Sequence, residues 1–127
     1  RAGVEARVFD FVDHLGQRKV QPALRELHAL LENEDAGYVL AMITRQYRLL
    51  IQTKELVEAH TPPNTIAQTL GLHPYPAGKL SQQTRNYSLP VLESLYRQLL
   101  ECDIDVKTGR MDPVTALDVL VSTLAAA

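Results

Sequence analysis

The sequence predicts an all-α fold, a compact bundle of about six to seven helices forming one domain over residues 1–127. Three observations lead there. Apolar residues recur at three- and four-residue spacing in successive stretches, Gly and Pro punctuate the chain where helices start and stop, and no run of strand alternation has comparable strength. The composition agrees, with 46% hydrophobic residues, no Trp and an abundance of the helix formers Ala, Leu, Glu, Gln and Arg. A chain of 127 residues is the usual size of one domain and long enough to bury a core.

Each element has its own signal. Val8, Phe9, Phe11, Val12 and Leu15 fall at helical spacing, and Gly16 follows as a stop, which predicts a short first helix over Val8 to Leu15. Pro22 suits a first turn, and Ala23, Leu24, Leu27, Leu30 and Leu31 trace the apolar face of a second helix that breaks at Asn33 to Gly37. A third helix runs roughly from Tyr38 to His60. At about 100° per residue its apolar side chains, from Val39 to Val57, cover roughly 220° of the circumference. Such a helix is central in a bundle, or faces the core on one side and a partner on the other.

Thr61-Pro62-Pro63 offers an N-cap and first-turn prolines for a short fourth helix ending at Leu70 before Gly71. A fifth follows Pro74 and Pro76 and reaches Asn86. Ser88 caps a long sixth helix carrying Val91, Leu92, Leu95, Tyr96, Leu99, Leu100 and Ile104, with Pro90 in its first turn and Gly109 at its end. Asp112-Pro113 is the clearest start signal, and Ala116, Leu117, Leu120, Val121 and Leu124 make the last apolar face.

Charge and cysteine usage narrow the function. Thirteen Lys and Arg against fifteen Asp and Glu leave a net charge of −2, whereas a domain that neutralises many phosphates carries a clear basic excess. A single cysteine, Cys102, excludes an internal disulfide and fits a reducing compartment as a small buried hydrophobe. Apolar stretches are interrupted well short of a bilayer span and the N-terminus lacks the regions of a signal peptide, so a cytoplasmic location is expected. The chain opens on Arg1 rather than Met, the expectation for a fragment of something longer.

No catalytic or cofactor motif emerges. Gly71 to Leu80 resembles a phosphate loop only superficially, because His73 stands where the first glycine belongs and Leu80 where Ser or Thr would reach Mg²⁺. His14, His28, His60 and His73 are scattered without the spacing of a metal site, and no serine lies in a nucleophile elbow. A small helical enzyme is therefore the third reading. The second is a regulator's DNA-binding domain, since Thr65 to Leu72 followed by Ala77 and Leu80 has the small-residue and glycine pattern of a helix-turn-helix. Against it, the would-be recognition helix offers only Lys79 and Arg85 to DNA and begins with two prolines.

Two charged clusters suggest contacts. In Arg45-Gln46-Tyr47-Arg48 the tyrosine reads as core, and the arginines either lie along apolar neighbours or meet an acidic patch of another subunit. Met42, Leu49 and Leu56 repeat by heptads beside Arg45 and form the expected interface edge, with Arg48 nearby. Lys107 follows Asp103 by four residues in the good orientation for an ion pair. Alternatively, Lys107 and Arg110 present two charges to a nucleic-acid backbone from one loop.

These same stretches carry a family resemblance. Phe9 to Gly16, Ala23 to Leu27, Arg45 to Leu50, Ile66 to Pro74 with Lys79-Leu80, and Asp103 to Gly109 resemble, in order, signature stretches of the C-terminal collar domain of clamp-loader delta subunits of bacterial DNA polymerase III. The resemblance implies a cofactor-free structural module for DNA replication. It packs beside matching domains of gamma/tau and delta-prime type subunits, in the ring that places the sliding clamp on primed DNA. It also implies a full-length protein that is a non-ATPase subunit of the DNA-directed DNA polymerase (nucleotidyltransferase) holoenzyme. Its AAA+-like N-terminal part, absent from residues 1–127, contacts the clamp, and primer-template DNA is a possible partner of the assembled loader.

Overall fold

The computed structural model describes residues 2–126, with the side chains of Ala2 and of residues 124–126 outside that description. The expected role of Leu124 in the last apolar face therefore lies outside the described residues. Seven helices follow one another with no strand among the described residues: α1 (Ala2–Gly16), α2 (Val20–Asn33), α3 (Ala36–Glu58), α4 (Pro63–Leu70), α5 (Pro74–Gln83), α6 (Leu89–Lys107) and α7 (Pro113–Ala126). A 3-10 turn, Thr84–Asn86, links α5 to α6.

Helix α3 lies at the centre. It packs against α1, α2, α4, α5, α6 and α7, and its residues Val39, Leu40, Ile43, Tyr47, Leu49, Leu50 and Thr53 are buried. The wide apolar arc is thus covered mainly by the domain itself. Its exposed residues are Tyr38 and Glu58 near the two ends and Ala41, Arg45, Arg48, Gln52 and Glu55 along one sector between them. Around α3, the helical hairpin α1–α2 contributes Val8, Phe11, Val12, Ala23, Leu27 and Leu30 to the core, while α6 and α7 contribute Leu92, Leu95, Leu99, Leu117 and Leu120.

Caps and prolines set the boundaries. Asp35 accepts the Tyr38 amide at 3.1 Å and starts α3 two residues earlier than the apolar pattern does. Ser88 accepts the Val91 amide at 3.4 Å. Asp112 accepts the Val114 and Thr115 amides at 3.0 and 3.2 Å and the Thr115 hydroxyl at 2.6 Å. These three bonds to the charged form hold its carboxyl below the ordinary value, the Thr115 hydroxyl contributing most. Gly71 and Gly109 take left-handed φ values of 68° and 75°, which close α4 and turn the chain after α6.

Four local expectations are corrected. Helix α1 begins at Ala2, because Val4 is buried although its exposed neighbours give no stripe. The helix does stop at Gly16 but not through it: Gly16 is its last helical residue, and Arg18 takes the left-handed conformation (φ 63°) with Lys19 N bonded to the His14 carbonyl at 2.8 Å. Pro62 rather than Thr61 occupies the N-cap of α4, and the fifth helix ends at Gln83 with a 3-10 turn carrying the chain on to Asn86.

Candidate functional site

The Arg45-Gln46-Tyr47-Arg48 cluster divides by direction. Gln46 and Tyr47 turn inward and the two arginines are exposed. Gln46 donates to the Gln83 side-chain oxygen at 2.7 Å, and Gln83 donates to the Phe9 carbonyl at 3.0 Å. Asp13 accepts from Asn86 at 2.9 Å and from Gln17 at 2.9 Å, with Gln83 at 3.4 Å. Tyr87 donates to the Val12 carbonyl at 2.6 Å, which uses its only proton, so the Tyr47 hydroxyl is the donor in the 2.8 Å bond between the two phenols. Burial pushes both phenols above their ordinary range and keeps them protonated.

Gly16 completes this arrangement. A Cβ there would stand 2.6 Å from the Tyr87 ring, so glycine serves close approach and not a turn. The network ties α1, α3, α5 and the 3-10 turn together. Lys54 adds a bond from α3 to the Thr84 carbonyl at 3.1 Å. Amide and phenol groups so placed satisfy one another and position helices.

On the outer side of the same three helices lies an open trough of about 450 Å³. Helix α1 supplies Glu5, Val8 and Phe9, α3 supplies Met42, Arg45 and Leu49, and α5 with its preceding loop supplies Leu72, Tyr75, Pro76, Lys79 and Leu80. Tyr75 is 77% exposed on a first turn stiffened by Pro74 and Pro76. The Lys79 ammonium sits 4.4 Å from the Phe9 ring centroid and 5.7 Å from that of Tyr75.

Only part of the expected interface edge gathers here. Met42, Arg45 and Leu49 share the trough, but Leu49 is 8% exposed and belongs to the core. Of the three heptad positions expected to leave some surface available, Leu49 is the one that α3's own domain covers, while Met42 and Leu56 are partly exposed. Leu56 lies apart, beside Thr69 and Leu70 of α4, and Arg48 is exposed off the trough. Tyr75, Lys79 and Phe9 were missed as a group. An aromatic between two prolines, outside any apolar stripe, was the available signal.

At the far end of α6, Lys107 pairs with Asp103 at 2.8 Å, and Arg110 stands 4.0 Å from Asp105. Cys102 is half-buried, its sulfur 4.0 Å from the Ala116 carbonyl, and burial pushes its thiol up. His14 contacts Glu26 across the α1–α2 hairpin, where burial lifts the glutamate's carboxyl more than His14 lowers it. Among the described residues no cluster of three His, Cys, Asp or Glu has the geometry of a metal site, and no helix is long and apolar enough to cross a membrane.

Residues 5–124 match the family described as DNA polymerase III delta subunit, C-terminal domain. The chain belongs to this family. Within it, DNA polymerase III subunit delta of Bacillus subtilis (strain 168) is 30% identical over 122 residues, which are 95% of this chain and 35% of that protein. The solved Bacillus subtilis DNA clamp loader delta protein superposes with a TM-score of 0.93 at 29% identity, over 98% of this chain and 37% of that one. The delta-family domain thus spans about a third of the length of these relatives. The helix-turn-helix alternative is set aside. In this delta-family domain Ala77, Leu80 and Gln83 of α5 are buried and Lys79 lies over Phe9, so the supposed recognition helix is scaffold.

Proposed function

We propose that the domain is the collar-type assembly module of a clamp-loader delta subunit, holding that subunit in the ring that places the sliding clamp on primed DNA. The agreement in sequence and fold with delta subunits over nearly the whole chain carries this reading. On it, the partners are gamma/tau and delta-prime type subunits in the cytoplasm. Contact with the clamp belongs to an N-terminal region outside these residues. The intact protein is a non-ATPase subunit of the DNA-directed DNA polymerase (nucleotidyltransferase) holoenzyme, and this domain contributes structure rather than chemistry.

The interface on α3 is proposed for Met42 and Arg45, with Leu49 forming the floor beneath and Arg48 and Leu56 as separate contacts outside the trough. Met42→Asp and Arg45→Glu are expected to reduce co-purification of the intact protein with its organism's other loader subunits more than they lower the melting temperature. Leu49→Asp is unsuitable, because a buried charge at the centre of the core unfolds the domain. Failure of the unaltered protein to associate with any loader subunit removes the reading.

Lys107 and Arg110 are proposed to meet the primer-template backbone only inside the assembled loader, by exchanging their nearby carboxylates for phosphates. Lys107→Ala with Arg110→Ala then weakens DNA binding by the loader at low salt while assembly persists. Unchanged affinity returns both residues to their ion pairs.

A further inference from the structure

The trough between α1, α3 and α5 has a charge pattern that specifies its occupant. Its floor is apolar, built by Val8, Phe9, Met42, Leu49 and Leu80. Two cations stand at its margins. Among the described residues no carboxylate lies within ion-pair distance of Arg45 or Lys79, and the Lys79 ammonium is held instead over two aromatic faces. Glu5, at the α1 end, is the one acid of the lining among the described residues.

A partner that fills this trough removes water from Arg45 and Lys79. A desolvated cation without a counter-charge is costly, so an apolar occupant alone is disfavoured, and one bringing carboxylates to both positions gains from each. Tyr75 adds an aromatic contact whose backbone the flanking prolines have already ordered, so little conformational freedom is lost on binding. Resting on the assembly reading above, we propose that this trough receives an acidic amphipathic helix of another loader subunit. Its apolar residues seat on Phe9, Met42 and Leu49, and its carboxylates reach Arg45 and Lys79. Glu5 orients it, favouring the helix's N-terminus or a basic residue at the α1 end.

The test uses the intact protein and the purified loader subunits of the same organism. Affinity is measured at low and moderate salt for wild type, Arg45→Glu with Lys79→Glu, the milder Arg45→Gln with Lys79→Gln, Tyr75→Ala, and Arg97→Glu on the exposed face of α6 as a control. The double reversal is expected to weaken association by about tenfold or more, and the neutral pair by less. Tyr75→Ala also weakens it, while Arg97→Glu stays near wild type. Carbodiimide coupling followed by mass spectrometry is expected to join Lys79 to an Asp or Glu of a partner subunit. Association of wild type with the trough variants unaffected overturns the trough and leaves the assembly reading standing, whereas a wild type that binds no loader subunit overturns both. Coupling of Lys79 only to another copy of this chain overturns the proposed occupant in favour of self-association.

Discussion

Gly16→Ala tests the tightest surroundings of any glycine in the domain. The added Cβ falls 2.6 Å from Tyr87 Cε2 and 2.8 Å from both Tyr87 Cζ and Asn86 Cβ. Non-bonded carbons rest about 3.5–4.0 Å apart, so the ring must withdraw by roughly 1 Å. It is not free to do so, because its hydroxyl is bonded to the Val12 carbonyl at 2.6 Å and to Tyr47 at 2.8 Å. The two rings also meet edge to face with centroids 5.6 Å apart. Forcing a methyl into such a site costs about 1–3 kcal/mol. Stretching the hydrogen bonds adds about 0.5–1.5 kcal/mol each, and the better helix propensity of alanine returns about 0.5–1 kcal/mol. With the molecule taking the cheapest relaxation, the net loss is about 1–3 kcal/mol, or a melting temperature lower by roughly 4–12 °C for a domain of this size. Gly78→Ala is the matched control. It lies inside α5 with nothing within 4 Å of the added carbon, so it keeps only the propensity gain of about 0.5–1 kcal/mol. Thermal and urea melts by circular dichroism read both. A Gly16→Ala protein melting at or above wild type would refute the claim that glycine is required for contact with Tyr87.

Two further outcomes follow from the same geometry. Tyr87→Phe leaves the buried Tyr47 hydroxyl and the Val12 carbonyl without their partner and should cost about 1–3 kcal/mol, whereas Tyr47→Phe leaves Tyr87 bonded to Val12 and should cost only about 0.5–1.5 kcal/mol. Equilibrium denaturation giving the reverse order would contradict the assignment of Tyr47 as donor. Asp112 titrates below its ordinary value of 3.8, so the folded state binds fewer protons there, and the cap is fully stabilising above that pH. Its contribution should fade as pH falls from about 4 through the lower folded value. Asp112→Asn should flatten this part of the pH profile of thermal stability, and an unchanged acid limb would count against the cap.

The helical plan was legible because its signals are local. Prolines 63, 74, 90 and 113 sit in first turns, Asp112 and Ser88 cap as their spacing implies, and the apolar periods of α2 and α6 match the buried residues Ala23, Leu27, Leu30, Leu92, Leu95 and Leu99. What stayed hidden depends on residues far apart in the chain. Gln83 reads as an ordinary surface amide at the end of a polar run, yet it is 1% exposed and bridges α1 to α3. Gly16 reads as a stop because glycine more often serves conformation than contact, and no local pattern announces a tyrosine that follows much later. The trough is assembled from three helices, so Phe9, Arg45 and Lys79 carried no common signal. The apolar breadth of α3 was visible, but periodicity cannot say whether a neighbour within the chain or outside it covers each side chain. Leu49 is where that ambiguity was resolved towards the interior.

The amide and phenol links from α1 to the Gln83–Tyr87 region join residues separated by 70 to 75 positions in the chain. During synthesis, the α1–α2 hairpin can form early from neighbouring contacts, while Asp13 Oδ1 awaits Gln83 and Asn86, and the carbonyls of Phe9 and Val12 await the side chains of Gln83 and Tyr87. Closing so long a loop is entropically slow, so the polar latch should form after hydrophobic collapse and not direct it. The latch therefore acts as a late check on the fold, and only a chain whose first and second halves have met in the correct register can close it.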